Sequence, residues 1–145
     1  MITNERQYLH TIKKLADLES LTAATRRGDA GDDGFRDLQI AGLESQIADL
    51  RDELAEYEKL RDGSTTVIEA TSLAGLADTL IKTRIARGWT QRHLADRLGV
   101  AEQQVQRYES TSYRTASLAR LCDIADALNV TITQRALLGT DARVA

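Results

Sequence analysis

The segment 90–109 constrains the fold more than any other part of this 145-residue chain. It reads TQRHLADRLGVAEQQVQRYE, with apolar residues three or four positions apart on each side of Gly99. That spacing predicts two amphipathic helices, over 90–98 and 101–110. Gly99 lies between them, where the chain must turn with positive φ, a conformation that glycine adopts at least cost. Two short helices are therefore expected to cross here, with Val105 holding the second against the first.

Two further helices are predicted on either side of this pair. The preceding helix is indicated by an apolar stripe of Leu73, Leu76, Ala77, Leu80 and Ile81. In the following helix, capped by Thr115 or Ser117, the inward-facing residues are predicted to be Leu118, Leu121, Ala125 and Leu128. Cys122 is expected on the inner or boundary face of that helix as a small apolar residue.

The N-terminal half predicts two longer helices, over 4–27 and about 35–61. In the second, apolar residues step by 3, 4, 3, 4 and 3 positions through Ile40, Leu43, Ile47, Leu50, Leu54 and Tyr57. Such a pattern is typical of a coiled-coil seam. A stretch rich in glycine and aspartate, 28–34, separates the two helices. The pattern therefore predicts an antiparallel helical hairpin.

These patterns divide the chain into four predicted parts. They are a helical hairpin forming a coiled-coil-like arm over 1–63, a linker over 64–72, a helical domain over 73–138 and a C-terminal tail over 139–145. The chain contains no proline, so its helices can run without interruption.

Charge is divided unequally between the two halves. Residues 1–71 carry 9 basic and 15 acidic side chains, a net charge of −6, and residues 72–145 carry 10 and 7, a net charge of +3. A positive field draws a protein toward phosphate groups, and binding of that kind weakens as salt rises. We therefore expect the C-terminal half to bind nucleic acid, with an affinity that is sensitive to salt.

Several classes of protein are disfavoured by the sequence. The apolar runs are too short to span a membrane, and the first residues do not have the pattern of a signal peptide. Because Cys122 is the single cysteine, no intrachain disulfide can form, and we expect a cytoplasmic location. His, Cys and carboxylate residues do not fall at metal-ligand spacing, and no nucleophile has an evident base. The chain is therefore expected not to be an enzyme and to need no metal or cofactor.

Residues 73–133 resemble the Xre/Cro-type, lambda repressor-like helix-turn-helix family of phage repressors, bacterial regulators and antitoxins. The residues that carry the resemblance are Arg84, Gly88-Trp89-Thr90-Gln91, Leu94-Ala95, Leu98-Gly99-Val100, Val105, Arg107, Glu109, Leu118 and Ala127-Leu128-Asn129-Val130. It implies an all-α fold with a five-helix DNA-binding domain, and an origin in bacteria or phage. Together with the hairpin, the stretch 102–109 is similar to a HigA-like antitoxin subgroup.

The resemblance implies a role for each matching position. Helix 101–110 becomes the recognition helix of the major groove. Its base-reading residues are Glu102, Gln103, Gln106 and Arg107, since glutamine can pair with adenine, arginine with guanine and glutamate with cytosine. The residues implied to bind phosphate are Thr90, Gln91, Arg92, Gln104, Tyr113 and Arg114. Arg84 and Glu109 are implied to form a structural ion pair. Ala101 departs from the Ser or Thr that commonly caps the recognition helix, which costs about 1 kcal/mol.

Three functional hypotheses stay open at this point. The first is a transcriptional repressor that acts as a homodimer and places two recognition helices about 34 Å apart on a palindromic operator in double-stranded DNA. The second is an antitoxin whose acidic hairpin binds a basic toxin protein, with DNA binding for autoregulation. In the third the hairpin serves only for dimerisation. The sequence does not identify the dimer interface or the partner.

Overall fold

The computed structural model describes residues 1–28 and 33–137. This part of the chain contains six α-helices and no strand. They are α1 (Glu5–Arg27), α2 (Asp33–Arg61), α3 (Gly75–Ala86), α4 (Gln91–Leu98), α5 (Glu102–Ser110) and α6 (Leu118–Ala127). The predicted all-α class is confirmed. None of the described helices is long and apolar enough to cross a membrane.

The C-terminal domain has four helices, α3 to α6, among the described residues, where the resemblance implied five. Residues 131–137 have no regular secondary structure. The stretch begins with Thr131, Ile132 and Thr133, whose β-branched side chains lose rotamer freedom in a helix. The predicted tail over 139–145 and most of the predicted loop over 28–34 lie outside the described residues.

Helices α1 and α2 pack against each other in opposite directions. An ion pair joins the start of α1 to the end of α2, with Arg61 Nη1 2.7 Å from Glu5 Oε2, and a second joins the interiors of the two helices, with Arg51 Nη2 2.6 Å from Glu19 Oε1. Along the predicted seam of α2, the buried residues are Ile47, Leu54 and Tyr57. The opposing face of α1 is partly polar, because Thr11 and Thr22 are buried there.

The open end of this hairpin packs on α3, so the hairpin and the C-terminal helices share one apolar core. Ile2, Tyr57 and Leu60 belong to the same buried cluster as Leu80 and Ile81. At the edge of this contact Lys82 Nζ lies 2.5 Å from Glu56 Oε1. The burial of apolar side chains from both ends of the chain stabilises the arrangement of α2 against α3.

The centre of the C-terminal domain is formed by side chains from all four of its helices. The fully buried ones are Leu80 and Ile81 of α3, Leu94 of α4, Val105 of α5, Ile124 of α6 and Leu128 directly after it. The packing of α6 is the principal difference from the sequence prediction. Ile124 faces the core, whereas Leu118 is 72% exposed.

Three individual predictions for apolar positions are wrong. Leu118 is exposed because it follows the N-cap Ser117, whose hydroxyl accepts from the Arg120 backbone N–H, and the first turn of α6 faces solvent there. Leu73 is 77% exposed because it precedes α3, which begins at Gly75. Cys122, expected at an inner or boundary position, is exposed.

Candidate nucleic-acid interface

The ends of α4 are capped, and α4 packs closely against α5. At the start of α4, the Thr90 side chain accepts a hydrogen bond from the His93 backbone N–H at 3.1 Å. At its end, Gly99 has a φ of 67°, and its N–H donates to the Asp96 carbonyl at 3.3 Å. The side chains of Leu94 and Val105 are fully buried between the two helices. Capping and burial together hold α5 at one angle to α4.

The outward face of α5 carries the residues implied to read bases. Glu102, Gln103, Gln106 and Arg107 are all exposed, while Val105 and Glu109 point inward. Gln106 Nε2 donates to Glu102 Oε1 at 3.1 Å, one turn away. Within the described part of the chain, no hydrogen bond or ion pair engages the side-chain nitrogens of Gln103 or Arg107. The side-chain nitrogens of Gln103 and Arg107 therefore face solvent.

The buried face of α5 ends in a network centred on Arg84 and Glu109. Arg84 Nε lies 2.6 Å from Glu109 Oε1, and Arg84 Nη2 lies 2.8 Å from Glu109 Oε2. The side chains are only 3% and 1% exposed. Arg84 also donates to the carbonyl oxygens of Trp89 and Thr3, each at 2.6 Å. The guanidinium thus links α3, the approach to α4, the last turn of α5 and the N-terminal segment.

Two residues implied to bind phosphate are buried. Gln91 is 7% exposed, and its Nε2 donates to Glu109 Oε2 at 2.7 Å, so its side chain serves the Arg84–Glu109 network. Tyr113 is 3% exposed, and its hydroxyl is buried without a hydrogen-bond partner among the described residues. Burial, which penalises the charged phenolate, raises the pKa of Tyr113.

The other residues implied to bind phosphate lie nearer the surface. Thr90, Arg92 and Arg114 are exposed, and Gln104 is half-buried. Ala101 occupies the N-cap position of α5 and provides no side-chain hydrogen bond. The first backbone N–H groups of α5 lack a side-chain acceptor there, and groups of this kind bind anions well.

One group of side chains near this surface was not singled out from the sequence. The Trp89 and His93 rings stack with centroids 4.3 Å apart, and the Arg97 guanidinium carbon lies 5.2 Å from the Trp89 ring centroid. His93 and Arg97 also line a shallow cleft with Arg92. The four-residue spacing of Trp89, His93 and Arg97 is the signal that could have revealed this stack.

Comparison with known proteins defines the class of this domain. Residues 80–134 match the family model described as Helix-turn-helix, a range that contains α4, α5 and α6 and all but the first residues of α3. No curated protein and no solved structure matches the chain. The chain therefore carries a DNA-binding regulatory domain. Residues 80–134 therefore form a helix-turn-helix domain, in agreement with the resemblance to the Xre, lambda repressor-like family.

Proposed function

We propose that this protein is a sequence-specific transcriptional repressor that acts as a dimer and inserts α5 into the major groove. The observation that carries the proposal is the contrast between the two faces of α5. The inner face is held by the buried pair of Arg84 and Glu109, whereas the outer face presents Gln103 and Arg107, whose side-chain nitrogens are engaged by none of the described residues. A rigid helix with free polar groups suits direct readout of base edges.

The remaining contacts divide into base reading and backbone positioning. We assign Gln103 and Arg107 to adenine and guanine, with Glu102 and Gln106 completing the row on the same face. Arg92 and Arg114 supply exposed positive charge for phosphates, which orient the protein without reading sequence. For Gln91 we assign the backbone N–H to phosphate, because its side chain is engaged by Glu109.

Fluorescence anisotropy on DNA tests this function directly. The full chain is titrated onto labelled DNA from upstream of its own gene and onto random DNA of equal length, across a salt series. We expect preferential binding to the upstream DNA, with an affinity that falls steeply as salt rises. Equal and weak binding to both DNAs at every salt concentration would remove the basis for the proposal.

Two arginine variants separate base reading from phosphate binding. Arg107→Ala is expected to cost about 1–3 kcal/mol of binding free energy and to relax specificity at one base position. Arg92→Ala, the matched control with the same loss of charge, is expected to weaken binding to all sequences alike and to reduce the salt slope by about 1. Uniform weakening by both variants would refute the assignment of Arg107 to a base.

A second candidate function is favoured by the charge of α2. This helix carries eight acidic and four basic side chains, and Asp49, Asp52 and Glu56 are among its exposed acidic residues. A basic toxin protein fits such a surface, and the chain would then be an antitoxin that regulates its own operon. A small basic reading frame beside the gene, whose product binds the chain only at low salt, would favour this candidate.

A further inference from the structure

The outer end of the hairpin carries an exposed apolar ridge. We call it the tip ridge and define it as Phe35, Leu38 and Gly42 of α2 with Leu21 of α1 beside them. The side chains of Phe35, Leu38 and Leu21 are 61%, 71% and 51% exposed. Positions 35, 38 and 42 fall on one face of α2, and Leu21, Leu38 and Gly42 line a common groove. Large apolar groups gathered in this way mark an interaction surface.

Gly42 supplies an independent observation on this ridge. It lies in the interior of α2, where glycine lowers helix stability relative to alanine. A Cβ atom added at Gly42 would meet nothing within 4 Å, so no contact among the described residues requires a glycine there. The residue leaves a notch in the ridge, one helical turn from the protruding Leu38.

The notch and the protruding side chain make the ridge complementary to itself. When two α2 helices pair in opposite directions about a two-fold axis between positions 38 and 42, each Leu38 meets the Gly42 notch of the other copy. This is the isologous geometry of symmetric dimers, in which the same patch serves on both sides. Leucine packing against glycine also lets the two helix backbones approach closely.

Charge decides between a second copy and a basic protein as the occupant. Although residues 1–71 carry a net charge of −6, none of the described residues that line the groove is charged, the remaining ones being Thr25, Gln39, Leu43 and Gln46. A basic partner is recognised through carboxylates, and the described lining of this groove presents none. We propose that the tip ridge is a dimerisation surface for a second copy of this chain.

The proposal has a geometric consequence that rests on the proposed function in DNA binding. From Gly42 to Arg61 α2 rises roughly 28 Å, at 1.5 Å per residue. The two-fold axis lies about two residues further from Arg61 than Gly42 does, so antiparallel pairing at the tip places the two DNA-binding domains at opposite ends, with the two Arg61 residues roughly 63 Å apart. That span exceeds the ~34 Å of half-sites one turn apart, so we expect half-sites separated by two turns or more.

Sedimentation equilibrium on the full chain tests the surface. We expect a reversible dimer with a dissociation constant below about 100 µM. Leu38→Glu should raise that constant at least about tenfold, because it places like charges together in the interface. Gly42→Leu fills the notch, so it should weaken the dimer to a similar extent while raising the melting temperature through better helix propensity. The matched control is Leu9→Glu, because Leu9 is 58% exposed on α1 outside the tip ridge and should leave association unchanged.

The outcomes separate this surface from the DNA-binding function. Dimerisation lost in Leu38→Glu and Gly42→Leu but kept in Leu9→Glu supports the tip ridge. A monomeric parent chain, or a dimer that only Leu9→Glu disrupts, overturns it. A monomeric Leu38→Glu variant should still prefer a single half-site over random DNA. If the dimer forms as described and neither protein prefers any DNA sequence, the proposed function fails and the dimerisation surface stands.

Discussion

Replacing Glu109 by glutamine tests how strongly the buried ion pair with Arg84 stabilises the chain. The carboxylate accepts three hydrogen bonds, two from Arg84 and one from Gln91, at 2.6 to 2.8 Å, and its side chain is 1% exposed. Glutamine keeps the volume but removes the charge, so the Arg84 guanidinium is left buried without a counter-ion. Removing one partner of such a buried pair costs about 3–5 kcal/mol.

This cost is large enough to measure in several ways. Each kcal/mol lowers the melting temperature by roughly 2–4 °C in a chain of about this size, so Glu109→Gln should melt roughly 6–20 °C lower. Urea denaturation followed by Trp89 fluorescence gives the free energy of unfolding. Trp89 is the only tryptophan, and its carbonyl accepts from Arg84 at 2.6 Å, so the probe reports on the same network.

Two further variants of this chain show whether the loss of stability comes from the buried charge. Glu44→Gln removes the same charge from the ion pair with Arg26, whose side chains are more than half exposed, and should cost less than about 1 kcal/mol. A double replacement, Arg84→Met with Glu109→Leu, removes both buried charges and should be less destabilised than Glu109→Gln. A loss under about 1 kcal/mol in Glu109→Gln would refute the claim that the pair is desolvated.

Three smaller changes should each shift the free energy of unfolding. Ala101→Ser supplies the missing cap of α5 and should stabilise the chain by about 1 kcal/mol in urea denaturation, while a negligible gain would contradict the N-cap geometry. Gly99→Ala should destabilise it by about 1–2 kcal/mol in the same assay, because φ is 67° there. Tyr113→Phe removes the unpartnered hydroxyl and should raise the melting temperature at neutral pH. Burial raises the pKa of Tyr113 above its ordinary value of 10.0, which still applies in the unfolded chain. The free energy of unfolding therefore falls as pH rises past 10.0, and the Tyr113→Phe variant should lose less of that free energy between pH 8 and 11 than the parent chain does.

Local features of the sequence were sufficient to predict most of the DNA-binding unit. Helices α4 and α5 begin and end within a residue or two of the predicted bounds, because Thr90 and Gly99 act on their own neighbours in the chain. The outward placement of Gln103 and Arg107 follows from the same helical period that buries Val105. Their pairing with bases stays a prediction.

The contacts that could not be predicted from the sequence connect distant parts of the chain. The burial of Gln91 depends on Glu109, 18 residues away, and the carbonyl of Thr3 meets Arg84 across 81 residues. Neither contact leaves a periodic signal, because each involves a polar group satisfied by tertiary packing. The exposure of Leu118 and burial of Ile124 likewise depend on the side from which α6 packs on the core.

The burial of Ile2 bears on how the chain folds during synthesis. Ile2 and Tyr57 leave the ribosome before Leu80, Ile124 and Leu128, with which they share a buried cluster. During the interval their apolar surfaces stay in water, and contacts so far apart in sequence form slowly. At about 5–20 residues per second, the 70 or so residues after Tyr57 take several seconds to appear. The nascent hairpin therefore has to remain unaggregated on its own until α6 is complete.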